Sequence, residues 1–305
     1  MAILELDKVS KSFGAVKVIG DLSFQVPDHS VFGFIGKNGA GKTTTMKMIL
    51  GFLQQDSGVI HVCGEKVSYG NTKANRNIGY LPDVPEFYGY MNPKEYLKLC
   101  GEITGLKKEI IQSRTKELLE LVGLDGVNRR IHGFSRGMKQ RLGIAQALLN
   151  EPKLLICDEP TSALDPMGRK EILDILSLAK NKTTILFSTH ILSDVERICD
   201  RIGVLNQGKL VLEGDVSDIK HKYRKDTVRV EVGKSFQPEK AADGLRKLTA
   251  VTNVRTDNRI IEIQVHNAED SGADILAFLL KEAVPVIRYE IMEPSLENVF
   301  LQVVV

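Results

Sequence analysis

The segment 36–43, GKNGAGKT, constrains the fold more than any other part of the chain, because it matches the phosphate-binding pattern GxxxxGK[ST]. An apolar run over residues 31–35 comes directly before it, and helical periodicity over 43–50 follows it. A strand, a glycine-rich loop and a helix in this order form a P-loop. Its glycines let successive backbone N–H groups converge on phosphate oxygens, and the positive end of the helix faces the anion. We therefore predict an α/β fold of the P-loop NTPase class.

Two side chains of this loop have specific chemistry. Lys42 is expected to reach the β- and γ-phosphates of a nucleotide, and the hydroxyl of Thr43 is expected to ligate Mg²⁺. A glycine-rich turn that matches the pattern by accident is the alternative, and the flanking strand and helix disfavour it. The other predicted nucleotide contacts come from the loop and the first helical turn: Gly36, Asn38, Gly39, Ala40, Gly41 and Thr44.

A second apolar run ends in two acidic residues, as the other half of a P-loop site requires. Residues 154–157, LLIC, precede Asp158 and Glu159. Asp158 is predicted to hold Mg²⁺ through water, and Glu159 is placed to polarise an attacking water. An ordinary loop can also begin with two acids, but the two motifs support each other. Together they predict nucleotide hydrolysis.

Length and composition limit the number of domains and the cellular location of the chain. The 305 residues suggest about two domains, and the net charge of +2 is too small for a protein that coats nucleic acid or an anionic membrane. No apolar run approaches the roughly 18 to 20 residues that span a bilayer, and the N-terminus lacks the apolar region of a secretory signal. We therefore expect a soluble cytosolic chain. Its four separated cysteines are expected to be reduced, buried thiols: Cys63, Cys100, Cys157 and Cys199.

Hydrophobic periodicity divides the chain into two domains. Residues 1–220 begin with antiparallel strands and alternate strands and helices after 153, with a helical insertion at about 84–150. A charged run at 216–226 marks the boundary. Residues 226–305 restart in the order βαββαβ and end in a helix. This order predicts a small, ferredoxin-like α+β domain at the C-terminus.

A segment between the two phosphate-site motifs carries a resemblance to a family. Residues 134–141, FSRGMKQR, and the order of all the motifs over 2–220 resemble the nucleotide-binding subunit of ABC transporters. The resemblance implies ATP as the nucleotide, an ABC ATPase fold, and a signature motif that includes Ser135 and Gly137. These two residues begin a helix whose N-terminus can face a γ-phosphate.

Three further positions extend this resemblance. Phe13, in KSFG, resembles the aromatic residue that stacks on adenine, although its side chain is equally well explained as part of a core. Residues 162–165, SALD, are similar to the D-loop. His190 resembles the switch histidine, and its position after Glu159 favours that role over a structural one.

The chain departs from the family pattern in two motifs. The usual signature is LSGGQ, whereas Arg136 replaces its first glycine and Met138 replaces its glutamine. The position normally occupied by the Q-loop glutamine is Asp83, which we include as a third candidate Mg²⁺ ligand. These substitutions, and the C-terminal segment 293–300, EPSLENVF, resemble the antibiotic- and lantibiotic-export branch of bacterial ABC systems.

The resemblance implies an ATP-hydrolysing subunit that drives transport, here export of a drug or peptide, through a separate membrane permease. Two ATPase subunits would pair head to tail with two ATP molecules between them, peripheral to the cytoplasmic face of a bacterial membrane and without nucleic acid. The loop of Lys42 in one subunit would face Ser135 of the other. An apolar cleft for the permease is expected near the following residues, for which core packing is the alternative: Phe87, Tyr88, Tyr90 and Leu97.

The same motifs leave three other functions as alternatives to transport. A translation or repair ATPase of the same family would normally contain two cassettes or long coiled coils, whereas this chain has one cassette and no sustained heptads. A small-molecule kinase does not account for FSRGM, SALD and His190 together. A non-hydrolysing subunit of a heteromeric transporter stays open, because Arg136 and Asp83 favour it while Glu159 and His190 oppose it.

Overall fold

A computed structural model describes residues 2–70, 73–223, 226–292 and 295–304. The chain divides into two compact units, Met1–Val216 with Val303–Val305, and Ser217–Gln302. Glu293 and Pro294, at the start of the tail segment 293–300, lie outside the described residues. Within the described ranges, none of the helices combines the length and the apolar composition that crossing a bilayer would require.

The first unit is the larger of the two, and its described residues form ten strands. Its strands are β1 Ala2–Phe13, β2 Val16–Pro27, β3 Val31–Ile35, β4 Ser57–Val62, β5 Glu65–Lys66, β6 Ile78–Leu81, β7 Leu154–Asp158, β8 Thr184–Thr189, β9 Arg201–Asn206 and β10 Lys209–Asp215. Its helices are α1 Lys42–Ile49, α2 Pro93–Ile103, α3 Lys108–Leu121, α4 Arg136–Leu148, α5 Pro166–Ala179 and α6 Leu192–Ile198; α7, Val216–Lys222, spans the division between the units. Two short 3-10 helices lie at Lys73–Asn77 and Ile131–Gly133.

A six-stranded sheet positions the site. Its order is β10-β9-β3-β8-β7-β6, and every neighbouring pair is parallel except β9 with β10. Every residue of β3, β7 and β8 is buried, as the apolar runs predicted for strands covered on both faces. Because these strands are parallel, their carboxyl ends meet at one edge, where the P-loop and both acidic residues follow.

An antiparallel sheet packs against this core. Its order is β2-β1-β4-β5, and the ring of Phe24 on β2 stacks on Phe32 and Phe34 of β3, with centroid distances of 5.4 and 5.3 Å. The two sheets share one hydrophobic core. These aromatic contacts therefore link the antiparallel β subdomain to the strand that leads into the P-loop.

The helical insertion lies between β6 and β7. A capping box starts α2, in which Asn92 and Glu95 satisfy each other's backbone N–H groups, and Pro93 occupies the first turn. The apolar periodicity of 107–123 predicts that Ile110 and Ile111 share one buried face, but this is wrong for Ile110, which is exposed, whereas Ile111 is buried. Successive helical residues point about 100° apart, and only one of this pair can face the bundle.

The second unit is a ferredoxin-like α+β fold, as predicted. Its elements are β11 Asp226–Val232, α8 Glu239–Leu245, β12 Val251–Asp257, β13 Ile260–Val265, α9 Ala268–Lys281, β14 Val286–Met292 and α10 Leu296–Val304, of which Val303 and Val304 belong to the first unit. The antiparallel sheet has the order β12-β13-β11-β14, with the first and third strands at its centre. Apolar periodicity alone predicts that this helix begins at Ala273, but α9 begins at Ala268, because the Asn267 side chain accepts a hydrogen bond from Asp270 N and caps the polar first turn.

All four cysteines are free thiols. Cys157 and Cys199 are buried, as predicted, but Cys63 and Cys100 are only partly buried, so the prediction that every thiol is buried is wrong. Cys63 follows β4 at a turn with φ of 52°, and Cys100 lies on α2, in contrast to Cys157, which is in a strand covered on both faces.

Candidate functional site

A cleft of about 480 Å³ opens where the P-loop and the strand ends meet. Predicted site residues from three distant parts of the sequence line it. From the loop and α1 come Asn38, Gly39, Gly41, Lys42, Thr43 and Thr44, and from the strand ends come Asp83, Asp158 and Glu159. Gly36 and Ala40 do not line the cleft; they belong to the same loop, and Ala40 is buried.

Close packing explains the loop glycines. Gly41 has φ of 108°, and a Cβ there would lie 2.4 Å from Cδ1 of Ile19. A Cβ on Gly36 would lie 2.7 Å from the carbonyl oxygen of Leu205. Any larger residue would push the loop away from the sheet, and the loop would lose the compact path that turns its N–H groups towards one point.

Lys42 lies between the loop and the acidic residues. Its ammonium group donates to the carbonyl oxygen of Gly36 at 2.6 Å and lies 3.1 Å from Oε1 of Glu159. The side chain is buried. A fixed cation in a partly desolvated cleft attracts phosphate more strongly than the same cation in water.

Glu159 adopts a left-handed backbone conformation, with φ of 48°. Its N–H donates to both Oγ and the carbonyl oxygen of Ser188, at 3.0 and 3.1 Å. Its Oε2 lies 2.9 Å from Nδ1 of His190. Because β7 and β8 are neighbours with Asp158 opposite Ser188, the strand ends place Glu159 beside His190.

Ser188 is a site residue that the sequence analysis did not single out. Besides accepting from the Glu159 N–H, its hydroxyl donates to Oδ1 of Asp158 at 2.6 Å, and Asp158 is buried. One serine thus orients both acidic residues. The sequence feature that could have identified Ser188 is its hydroxyl group in a buried strand, β8, that ends directly before His190.

The donor set fits Mg²⁺. Thr43 offers a hydroxyl oxygen and Asp158 a carboxylate oxygen in the same cleft, and Mg²⁺ prefers oxygen ligands from one or two carboxylates together with phosphates and waters. Among the described residues, no group of three or more His, Cys, Asp or Glu side chains is arranged to hold a metal ion by itself. The cleft therefore suits a cation that arrives with a nucleotide.

Asp83 lines the cleft, but its side chain already has partners. Its Oδ1 accepts from Nη2 of Arg136 at 3.1 Å and from the hydroxyl of Ser162. Nearby, Tyr80 is partly buried, and its burial, followed by the charges of Asp158 and Asp83, raises its phenol pKa to about 12. The carboxylate of Asp83 is therefore engaged by a cation and a hydroxyl of its own chain.

Besides Gly36 and Ala40, four predicted site residues are not part of the cleft lining: His190, which contacts Glu159, and Phe13, Ser135 and Gly137. Phe13, at the end of β1, is half exposed, and the ammonium of Lys11 lies 5.5 Å from its ring centroid. Ser135 is the N-cap of α4, its Oγ accepting from Met138 N at 3.2 Å, and Gly137 lies in the first turn. Neither Ser135 nor Gly137 is among the residues around the P-loop cleft of the same chain.

The predicted permease cleft is only partly exposed. Tyr88 and Tyr90 are well exposed, whereas Phe87 is partly buried with its ring edge against Tyr96. Leu97 is fully buried, so its predicted surface role is wrong. It faces inward because α2 packs against α3 and α4, and Leu97 lies on the side of α2 that they cover.

Comparison with known families identifies two matched regions. Residues 19–162 match the family model "ABC transporter", and residues 214–304 match "ATP-binding protein DrrA1-3-like, C-terminal domain". Among solved structures, the chain is similar to an ATP-binding subunit of an ABC transporter, with 34% identity, a TM-score of 0.66, and coverage of 72% of this chain and 93% of the other.

Full-length relatives share both regions. An uncharacterised ABC transporter ATP-binding protein of Bacillus subtilis, YxlF, is 37% identical over 99% of each chain. The bacitracin transport ATP-binding protein BcrA of Bacillus licheniformis is 35% identical over 99% of this chain and 97% of its own length. The linearmycin resistance ATP-binding protein LnrL of B. subtilis is 32% identical over 98% and 97%.

Proposed function

The chain belongs to the ABC transporter family as an ATP-binding subunit, and from this membership we propose how its own residues bind and hydrolyse ATP. Its activity is ATP hydrolysis coupled to transport. The observation that carries the residue assignments is the convergence of Lys42, Thr43, Asp158 and Glu159 in one cleft. The relatives give no support to the alternative of a translation or repair factor.

The P-loop residues bind the phosphates. The N–H groups of the loop and of the first turn of α1 donate to phosphate oxygens, and Lys42 pairs with the β- and γ-phosphates. Thr43 and Asp158 would hold Mg²⁺, which would neutralise charge on the phosphate oxygens. Ser188 supports this arrangement, since its hydroxyl donates to Asp158.

Glu159 polarises the attacking water, and His190 positions Glu159. When Glu159 is ionised, its Oε2 can only accept a hydrogen bond. The donor in the 2.9 Å contact is then the protonated Nδ1 of His190. The second oxygen, Oε1, is held near the Lys42 ammonium. The carboxylate is thereby fixed at both oxygens, and little reorganisation is needed when a proton of the water shifts towards it.

Each ATP site is completed by a second subunit. ATP-binding subunits of this family pair with each other and with membrane permeases. Ser135 and Gly137 lie away from the cleft of their own chain, which supports a head-to-tail pair in which these residues meet the nucleotide bound by the other subunit. Phe13 would stack on the adenine from the half-exposed end of β1.

Transport takes place through a separate permease at the cytoplasmic face of a bacterial membrane. Tyr88 and Tyr90, exposed and 6.0 Å apart between ring centroids, are the surface aromatic residues proposed to contact it. Export of an antibiotic or a similar drug or peptide follows from the similarity over full length to the bacitracin and linearmycin proteins. Nucleic acid is not expected to bind.

Two measurements test this proposal. The purified chain, alone and with the permease recovered from membranes by pull-down, should release phosphate from ATP, with higher turnover when the permease is present. Deletion of its gene in the source bacterium should raise sensitivity to an exported antibiotic. Absence of phosphate release in both preparations would contradict the proposed roles of the cleft residues.

A further inference from the structure

Two of the three substituted motif positions, one in the signature and one in the Q-loop, contact each other. Arg136 replaces the first signature glycine and Asp83 replaces the Q-loop glutamine, yet Nη2 of Arg136 donates to Oδ1 of Asp83 at 3.1 Å. The hydroxyl of Ser162 donates to the same Oδ1 and accepts from the same guanidinium at 3.2 Å. Three segments far apart in sequence thus share one hydrogen-bonded triangle.

The backbone of Asp83 is held as firmly as its side chain. Gln140 lies one helical turn after Arg136 on the same face of α4, and its Nε2 donates to the carbonyl oxygen of Asp83 at 2.5 Å. Gln140 is fully buried. Arg136 and Gln140, on consecutive turns of α4, therefore both hydrogen-bond to Asp83.

Close packing fixes the helix against the strand that leads to Asp83. A Cβ on Gly79 of β6 would lie 2.2 Å from the carbonyl oxygen of Ala147, and a Cβ on Gly143 of α4 would lie 2.5 Å from Cδ1 of Leu81. The two glycines let strand and helix approach directly. The position of Asp83 is consequently set by the backbone, and α4 and the end of β6 form one rigid piece.

Ser162 connects this piece to the acid proposed to polarise water. Its backbone N–H donates to the carbonyl oxygen of Glu159 at 3.0 Å, while its side chain bonds to Asp83 and Arg136. Glu159 itself has the left-handed backbone noted above. A restraint on Ser162 is therefore a restraint on the turn that carries Glu159.

We propose that Asp83, Arg136 and Ser162 form a positioning clasp, which couples the start of the signature helix to the turn of Glu159 and makes Asp83 a structural acceptor instead of a Mg²⁺ ligand. The clasp rests on the function proposed above. The usual signature glycine and Q-loop glutamine cannot form this charged pair, because glycine has no side chain and glutamine is uncharged.

A double-mutant cycle in the full-length chain tests the clasp. Asp83→Asn and Arg136→Gln should each lower kcat about five- to tenfold while the Kd for ATP changes less than twofold, because both side chains are paired with each other and with Ser162. The double variant should be no slower than the slower single variant, since the partners act as a unit. Arg136→Lys should recover part of the lost kcat, because it retains the charge.

Two outcomes would overturn the clasp. Losses that multiply in the double variant would mean that the residues act independently. A several-fold rise in the Mg²⁺ concentration needed for half-maximal activity in Asp83→Asn, absent in Arg136→Gln, would make Asp83 a metal ligand. Arg197→Gln is the matched control, because Arg197 pairs with Asp174 at 2.8 Å with similar exposure and away from the cleft, and its kcat should be unchanged.

Hydrogen exchange separates the clasp from the proposed function. Amides of segment 159–164 in the nucleotide-free chain should exchange faster in Asp83→Asn and Arg136→Gln than in wild type or Arg197→Gln. Unchanged exchange would refute the clasp even if hydrolysis is normal. If the two variants exchange faster but the wild-type protein does not hydrolyse ATP, the clasp is supported and the proposed function is refuted.

Discussion

Oε2 of Glu159 lies 2.9 Å from Nδ1 of His190, although 31 positions separate the two residues in the sequence. The contact arises because β7 and β8 are parallel neighbours whose carboxyl ends coincide, with Asp158 opposite Ser188. Only the first one or two residues after each strand can meet in this way. The positions of the strand ends thus determine which polar residues lie close enough together to take part in hydrolysis.

Replacement of Glu159 by Gln should abolish nearly all hydrolysis and leave ATP binding intact. The amide has almost the same shape but cannot accept a proton from water, and the loss should be about 10²- to 10⁴-fold in kcat. Phosphate release and binding of a fluorescent ATP analogue measure the two effects. An ATP-dependent pair should also accumulate on size-exclusion chromatography, because closure no longer ends in hydrolysis.

The matched control for this variant is Glu117→Gln. Glu117 forms exposed ion pairs with Lys182 and Arg114 outside the cleft, and its loss should leave turnover unchanged. Full ATPase activity in Glu159→Gln would contradict the assignment of Glu159 as the residue that polarises water.

Replacement of Lys42 by Ala should weaken ATP binding itself. The ammonium is buried between the loop and Glu159, and loss of a charge-assisted hydrogen bond typically costs about 1.5–3 kcal/mol, which raises Kd by one to two orders of magnitude. Isothermal titration with ATP and Mg²⁺ gives this Kd. Lys47→Ala, an exposed lysine in the last turn of α1, is the control and should bind as wild type; equal affinity for both variants would contradict the P-loop assignment.

Much of the fold follows from local sequence patterns. The three buried strands each contain an apolar run, VFGFI at 31–35, LLIC at 154–157 and ILF at 185–187, and the βαββαβ order of the second unit is visible in its changing periodicity. Period and apolar density are local properties, so one sequence is enough to detect them. The site residues that follow such strands are predictable for the same reason.

The clasp was not predictable in this way. The sequence marks Asp83 and Arg136 as separate departures from a motif, and nothing local indicates that they touch. Their contact depends on two glycines, Gly79 and Gly143, that set how closely β6 and α4 approach. Burial of Leu97 depends equally on which helices surround α2, a tertiary property.

Stability should fall at alkaline pH because of two buried thiols. Burial raises the pKa of Cys157 and of Cys199 well above their ordinary range, and the neighbouring carboxylates Asp158 and Asp200 add to the shift. Above pH 9 the unfolded chain loses these protons while the native chain retains them, so the free energy of unfolding decreases by up to about 1.4 kcal/mol per pH unit for each thiol. Below pH 8 both states bind the protons and the contribution is constant.

Urea unfolding at several values between pH 8 and 10.5 measures this slope. Cys157→Ala should lower the stability at pH 8 through the volume lost in a fully buried strand, yet make the decline above pH 9 shallower. Cys63→Ala, which removes a partly exposed thiol, is the comparison and should change the slope less. Identical slopes in all three proteins would show that these thiols titrate alike in both states.

Gly79→Ala should destabilise the first unit strongly. The added Cβ would meet the carbonyl oxygen of Ala147 at 2.2 Å and Cγ of Pro152 at 2.9 Å, and a helix backbone cannot yield as a flexible side chain can. Overpacking of this kind costs about 1–3 kcal/mol, and separation of α4 from β6 should also displace Asp83 from Arg136. Gly133→Ala is the control, since a Cβ there meets nothing within 4 Å. Thermal unfolding should show a clear drop in Tm for Gly79→Ala and little change for Gly133→Ala, and equal Tm values would refute the direct contact between strand and helix.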